Sequence, residues 1–143
     1  MLLSIGFTGS SRYRIHGVAR ETGQEHFAGE PNIVIDTDRP PDSKSGAAQL
    51  WRVRPDGTDL QQMTKEASVN WFPHPSPTED HVLYLAYPEG TTGHPPGKDV
   101  ALKLLDPESG ESRDLVRLHG GQGTINVPCW HPDGGRFAFV RYA

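Results

Sequence analysis

The stretch "QLWRVRPDGTDLQQMT" (residues 49–64) decides the fold, because it consists of two short strand-like segments joined by a tight turn. In the turn, proline presets φ and glycine supplies a positive φ. Similar aromatic and β-branched runs recur elsewhere: NIVID (32–36), HVLYLAY (81–87), VALKLL (100–105) and RFAFVRY (136–142). Even the proline-free window 58–70 lacks the spacing of an amphipathic helix, so the sequence predicts an all-β fold.

The strands repeat in a fixed order. One unit contains QLWRVR, the turn PDGTD, LQQMT, a link at 65–77 and HVLYLAY; the next contains VALKLL, DPESGES, RDLVRL, a link at 119–132 and RFAFVRY. The period is about fifty residues, which is typical of a β-propeller blade. We therefore predict about two and a half to three four-stranded antiparallel blades, a half-propeller. Residues 36–143 would form the clear blades and residues 1–35 a degenerate partial one.

The composition excludes several classes of protein. The 143 residues carry a net charge of −4 without a basic stripe, so no nucleic-acid partner is expected. The single cysteine excludes an intrachain disulfide. No apolar run is long enough for a membrane span, and the N-terminal residues lack a signal-peptide pattern. As written, the chain is expected in the cytoplasm; a longer natural precursor would place it in the periplasm.

Three longer strings carry a family resemblance: NWFPHPSP (70–77), GHPPGKDV (93–100) and GGQGTINVP (120–128). With the Pro-Asp-Gly turns, they resemble the TolB-like six-bladed β-propellers, whose repeats are also called PD40 or WD40-like. The resemblance extends from about Asp36 to the last residue and is to the C-terminal half of such a protein. SPTED (76–80) departs from the Pro-Asp-Gly pattern of the family. The resemblance implies a non-enzymatic, envelope-associated module that binds a protein partner or a glycan-like ligand.

A half-propeller would expose sheet faces that a neighbouring blade normally covers. The sequence therefore predicts a homodimer, or a complex with another propeller fragment that completes the ring.

Candidate ligand contacts lie in or beside the links, which in a propeller run toward the mouth of the central channel. Aromatic, amide, hydroxyl, imidazole and charged groups are all represented: Asn70, Trp71, His74, His94, Lys98, Asp99, Gln122, Thr124 and Asn126. Each has a structural alternative. Trp71 could pack between sheets rather than stack on a sugar, and the glycine-rich loop could be only a link. His74 and His94 could be turn residues, and Lys98 and Asp99 a surface pair.

The alternative function is a carbohydrate-active enzyme with a divalent metal at the channel mouth. The oligogalacturonate lyases have a similar fold and a His/Gln metal site, but here Asn126 and Val127 stand about where histidines would be needed. Asp36 and Asp38 with Arg39 are interpreted as a strand-end turn. Since no Gly-x-Ser-x-Gly elbow occurs, we expect no catalytic residues. Because two or three metal ligands do not converge in the sequence pattern, we expect no cofactor, and a divalent metal only in the alternative function.

Overall fold

The computed structural model describes residues 33–37, 47–54 and 57–143, which form two antiparallel sheets and no helix. The first sheet has the order β1 (Ile33–Thr37), β2 (Gln49–Val53) and β3 (Gln61–Gln62). The second is an up-and-down sheet of β4 (Val69–Pro75), β5 (Val82–Tyr87), β6 (Pro96–Leu105) and β7 (Ser112–Gly121). The all-β prediction is confirmed, and the arrangement is consistent with part of a β-propeller. Residues 1–32, Asp38 and Arg39 lie outside the described residues, and with them most of the predicted partial blade.

Strand β5 is buried on both of its faces, which explains its continuous apolar sequence. On one face, Leu83, Leu85 and Tyr87 belong to a core cluster that also contains Ile125 and has Trp130 packed against it. This face is therefore covered by the segment that follows β7.

The opposite face of β5 packs on the first sheet. Val82 and Tyr84 share a second cluster with Val34 of β1 and Leu50 of β2. The four-stranded sheet thus lies between the three-stranded sheet and the C-terminal segment, like successive blades of a propeller.

The boundaries between the sheets differ from the prediction by one strand. The stretch "VNWFPHP", interpreted as a link, is β4 and opens the four-stranded sheet. Proline is tolerated there because β4 is an edge strand of its sheet and contains a bulge at Phe72 and Pro73. The predicted repeat unit therefore combined strands of two different sheets. The described residues contain one three-stranded sheet, one four-stranded sheet and a C-terminal hairpin, which is consistent with part of a β-propeller.

Two further expectations need correction. Lys98 and Asp99, predicted in or beside a link, lie in β6 and pair with Gly120 and His119 of β7. RFAFVRY, predicted as a complete strand, forms only an isolated bridge between Trp130 and Phe137. The segment has a period-2 sequence, but no described strand lies along its second edge to build a ladder with it.

Candidate functional site

The backbone of β4 is strained at Phe72, which has a positive φ of 57°. The ladder between β4 and β5 shifts here, because Phe72 and Pro73 of β4 together oppose the single Tyr84 of β5. A bulky residue in the left-handed region is uncommon and costs about 1–2 kcal/mol. Such strain clusters at ligand sites and other functional positions.

A carboxylate from the first sheet holds this bulge. The backbone N–H of Phe72 donates to Oδ2 of Asp36 at 2.8 Å, and Asp36 is fully buried. The bond joins β1 to β4, which lie side by side in different sheets. Asp36 therefore has the structural role predicted for it, but it acts across two sheets rather than within a strand-end turn.

Two loops place side chains against the bulge. His94 precedes β6, and its ring centroid lies 4.9 Å from that of Trp71 and 5.1 Å from that of Phe72. Gln122 follows β7, and its side-chain amide forms a hydrogen bond with Nδ1 of His94. We call Trp71, Phe72, His94 and Gln122 the bulge site.

The two loops are fastened to each other by backbone contacts. The carbonyl of Pro95 accepts from the N–H of Gln122 at 3.2 Å and from the hydroxyl of Tyr87 at 3.2 Å. Gly121, with φ of 117°, makes the close approach possible, because a Cβ there would collide with the carbonyl of Pro95. The loops are therefore held in place independently of the His94 side chain.

The exposed fraction of each side chain distinguishes the residues that support the bulge site from those that can contact a ligand. Trp71 is only 4% exposed and belongs to the core, so it supports the site and presents no face for sugar stacking. Phe72, His94 and Gln122 are each partly exposed. Phe72 was missed as a site residue, although Pro73 inside a strand-like stretch signals a bulge.

Asn70 lies in a buried network between the two sheets and not at the bulge site. Its Nδ2, which has two protons to donate, lies within hydrogen-bond distance of three oxygens: Gln49 Oε1 at 3.2 Å, Thr64 Oγ1 at 3.2 Å and Glu66 Oε2 at 3.3 Å. Desolvation raises the pKa of Glu66, but the hydrogen bond and charge of Lys103, together with hydrogen bonds from Ser68 and Tyr84, hold this pKa below its usual value. The geometry gives Asn70 a structural role.

His74 and Thr124 fasten the segment after β7 to the sheet. Nε2 of His74 hydrogen-bonds the carbonyl of Ile125, and the indole N–H of Trp130 donates to the carbonyl of His74 at 2.9 Å. Burial lowers the pKa of His74, and the bond to Ile125 opposes this only in part, so the imidazole stays neutral. Thr124 is buried, and its Oγ1 accepts from the N–H of Gly121 at 3.0 Å.

The remaining predicted contacts are exposed and lie outside this cluster. Oδ1 of Asp99 is 3.2 Å from Nδ1 of His119. Asn126 closes the loop locally, since its Oδ1 accepts from the N–H of Gly123 at 2.7 Å. Lys98 is exposed on β6. Of the nine predicted residues, the structure brings Trp71, His94 and Gln122 together.

In the described part of the chain, no group of three or more His, Cys, Asp or Glu side chains is placed to hold a metal ion. The same residues include no helix that could cross a membrane.

Comparisons with known proteins agree with the fold. No family model matches the chain. An uncharacterized protein of Agrobacterium fabrum is 40% identical over 127 residues, which cover 89% of this chain and 42% of that protein. A solved structure described as a "putative TolB" from Agrobacterium tumefaciens is 41% identical with a TM-score of 0.71, over 78% of this chain and 39% of that one. The chain has a TolB-like fold and spans about two fifths of the length of both relatives.

Proposed function

We propose that the chain is a non-enzymatic binding module, part of a TolB-like β-propeller, and that it takes a neutral glycan-like ligand at the bulge site. The observation that carries the proposal is the left-handed backbone of Phe72, held by a buried carboxylate from the neighbouring sheet. Without a function, this strain would only lower the stability of the fold.

The chemistry of the bulge site favours a neutral, hydroxyl-bearing ligand. Its partly exposed groups are a phenyl ring, an imidazole and an amide, which combine an apolar surface with hydrogen-bond donors and acceptors. The one carboxylate bonded to the bulge, that of Asp36, is buried and engaged with the backbone of Phe72. A sugar ring can lie on the phenyl face while its hydroxyls bond the amide and the imidazole.

The proposal is tested by titrating the protein with a panel of neutral oligosaccharides in a calorimeter. We expect one class to bind, and we expect Phe72→Ala and Gln122→Leu each to weaken that binding at least about tenfold. Leu115→Ala is the matched control, because Leu115 packs at the edge of the same core away from the bulge site. Equal affinity in all variants, or no binding in the whole panel, would refute the proposal.

The enzymatic alternative requires a divalent metal. It stays a prediction that metal analysis of protein purified without a His tag would decide, since a stoichiometric ion would favour it. Cell fractionation would likewise decide between the cytoplasm and the periplasm.

A further inference from the structure

Gln122 of the bulge site lies between two glycines that both have a positive φ, 117° at Gly121 and 97° at Gly123. Each glycine also lies against a tyrosine hydroxyl. A Cβ at Gly121 would lie 3.2 Å from the hydroxyl oxygen of Tyr87. A Cβ at Gly123 would lie 3.0 Å from the hydroxyl oxygen of Tyr142. Glycine is therefore favoured on both sides of Gln122, because the two hydroxyls occupy the space that a side chain would take.

The two hydroxyls hold the backbone around Gln122 from two directions. The hydroxyl of Tyr87 donates to the carbonyl of Pro95 at 3.2 Å, and the same carbonyl accepts from the N–H of Gln122 at 3.2 Å. The hydroxyl of Tyr142 donates to the carbonyl of Gln122 itself. Both backbone polar groups of Gln122 are thus bonded within the protein, while its side chain bonds His94.

The segment that carries Tyr142 is also bonded to this loop by its backbone. The N–H of Tyr142 donates to the carbonyl of His119 at 2.9 Å, and the N–H of Val140 donates to the carbonyl of Thr124 at 3.0 Å. The two acceptors lie on either side of Gln122 in the chain. These backbone bonds place the ring of Tyr142, and its hydroxyl then fixes the carbonyl of Gln122.

The hydroxyl of Tyr142 is not needed to satisfy this carbonyl. Gln122 is partly exposed, so a water molecule can accept the same role at little cost in stability. A mobile water, however, does not hold the carbonyl in one direction. The ring of Tyr142 is held by its own backbone bonds, so its hydroxyl fixes the peptide plane that follows Gln122 and, with it, the direction of the side chain toward His94.

We propose that Tyr142 is a positioning residue of the bulge site, and that it holds Gln122 in the direction in which its amide bonds His94 and meets the ligand. The part that concerns the ligand rests on the proposed function, whereas the positioning is a property of the free protein. The glycines of the string GQG (121–123) then serve to admit the groups that orient Gln122.

The first test uses the free protein and compares Tyr142→Phe with Tyr84→Phe. Tyr84 is the matched control, because its hydroxyl bonds Glu66 in the buried network and the same group is removed there. In NOE spectra, we expect the cross-peak between the side-chain amide of Gln122 and the carbon-bound ring protons of His94 to be lost in Tyr142→Phe and kept in Tyr84→Phe. A cross-peak of equal intensity in both variants would overturn the proposal.

The second test uses the neutral oligosaccharide that binds in the calorimetric panel. We expect Tyr142→Phe to weaken its binding about two- to tenfold, the loss expected from one hydrogen bond, and Tyr84→Phe to leave the affinity unchanged. Equal affinities of the two variants would overturn the proposal. If no oligosaccharide binds, the proposed function fails, and the cross-peak in the free protein still decides whether Tyr142 positions Gln122.

Discussion

The strain at Phe72 makes a quantitative prediction from two substitutions that remove the same ring. Both Phe72→Ala and Phe72→Gly lose the packing against His94 and Trp71, so that loss cancels in the comparison. At φ of 57°, a residue with a Cβ pays about 1–2 kcal/mol that glycine avoids. Glycine in a strand interior ordinarily costs about 0.5–1 kcal/mol relative to alanine. The difference leaves the glycine variant more stable by about 0.5–1 kcal/mol, the reverse of the usual order.

The assay is thermal and urea unfolding of both variants, with an expected difference of about 1–4 °C in Tm for a domain of this size. The control is the same pair of substitutions at Leu118 of β7, which pairs regularly with Val100 and whose φ is not positive. There, alanine should be the more stable variant. If alanine is also more stable at position 72, the left-handed backbone is absent in solution and the argument for the bulge site fails.

The remaining predictions concern pH, the buried network and one glycine. Because burial keeps His74 neutral in the folded protein, the unfolding free energy should fall as the pH drops below about 6.5, by up to about 1.4 kcal/mol per pH unit. In urea titrations, His74→Gln should remove the part of this pH dependence that comes from His74. Asn70→Ala should cost about 1–3 kcal/mol in unfolding experiments while leaving the ligand affinity unchanged; a loss of affinity without a loss of stability would restore its role as a contact. Gly121→Ala should destabilise the protein by more than about 2 kcal/mol, because the new Cβ meets the carbonyl of Pro95. Gly110→Ala is the control: it is also at positive φ but lies in open space, so it should cost about 1 kcal/mol. Equal losses of stability would contradict the close packing of the loops.

The strands were predictable where the local sequence alone determines them. HVLYLAY became β5, and QLWRVR became β2, which ends at Val53, one residue before the predicted end at Arg54. The identity of β4 was not predictable in this way, because Pro73 and Pro75 resemble strand breakers in isolation. They are tolerated only because β4 is an edge strand with a bulge, which depends on how the two sheets assemble.

The site was predictable only at the level of loops. His94 and Gln122 are separated by 28 positions, and their turn-rich surroundings indicate connections without showing that these meet. The neighbouring residues Asn70 and Trp71 look equally suited to bind a ligand, yet both are buried, one in a polar network and the other in the core. Burial is decided by contacts between sheets, which no local pattern records.

The most direct test of the proposed function is an NMR titration of ¹⁵N-labelled protein with the neutral oligosaccharide panel. The account predicts saturable shifts centred on the amide signals of Phe72, His94 and Gln122, with the signals of the buried network around Asn70 unchanged. Saturable shifts centred elsewhere, or no shifts with any member of the panel, would contradict a glycan site at the bulge.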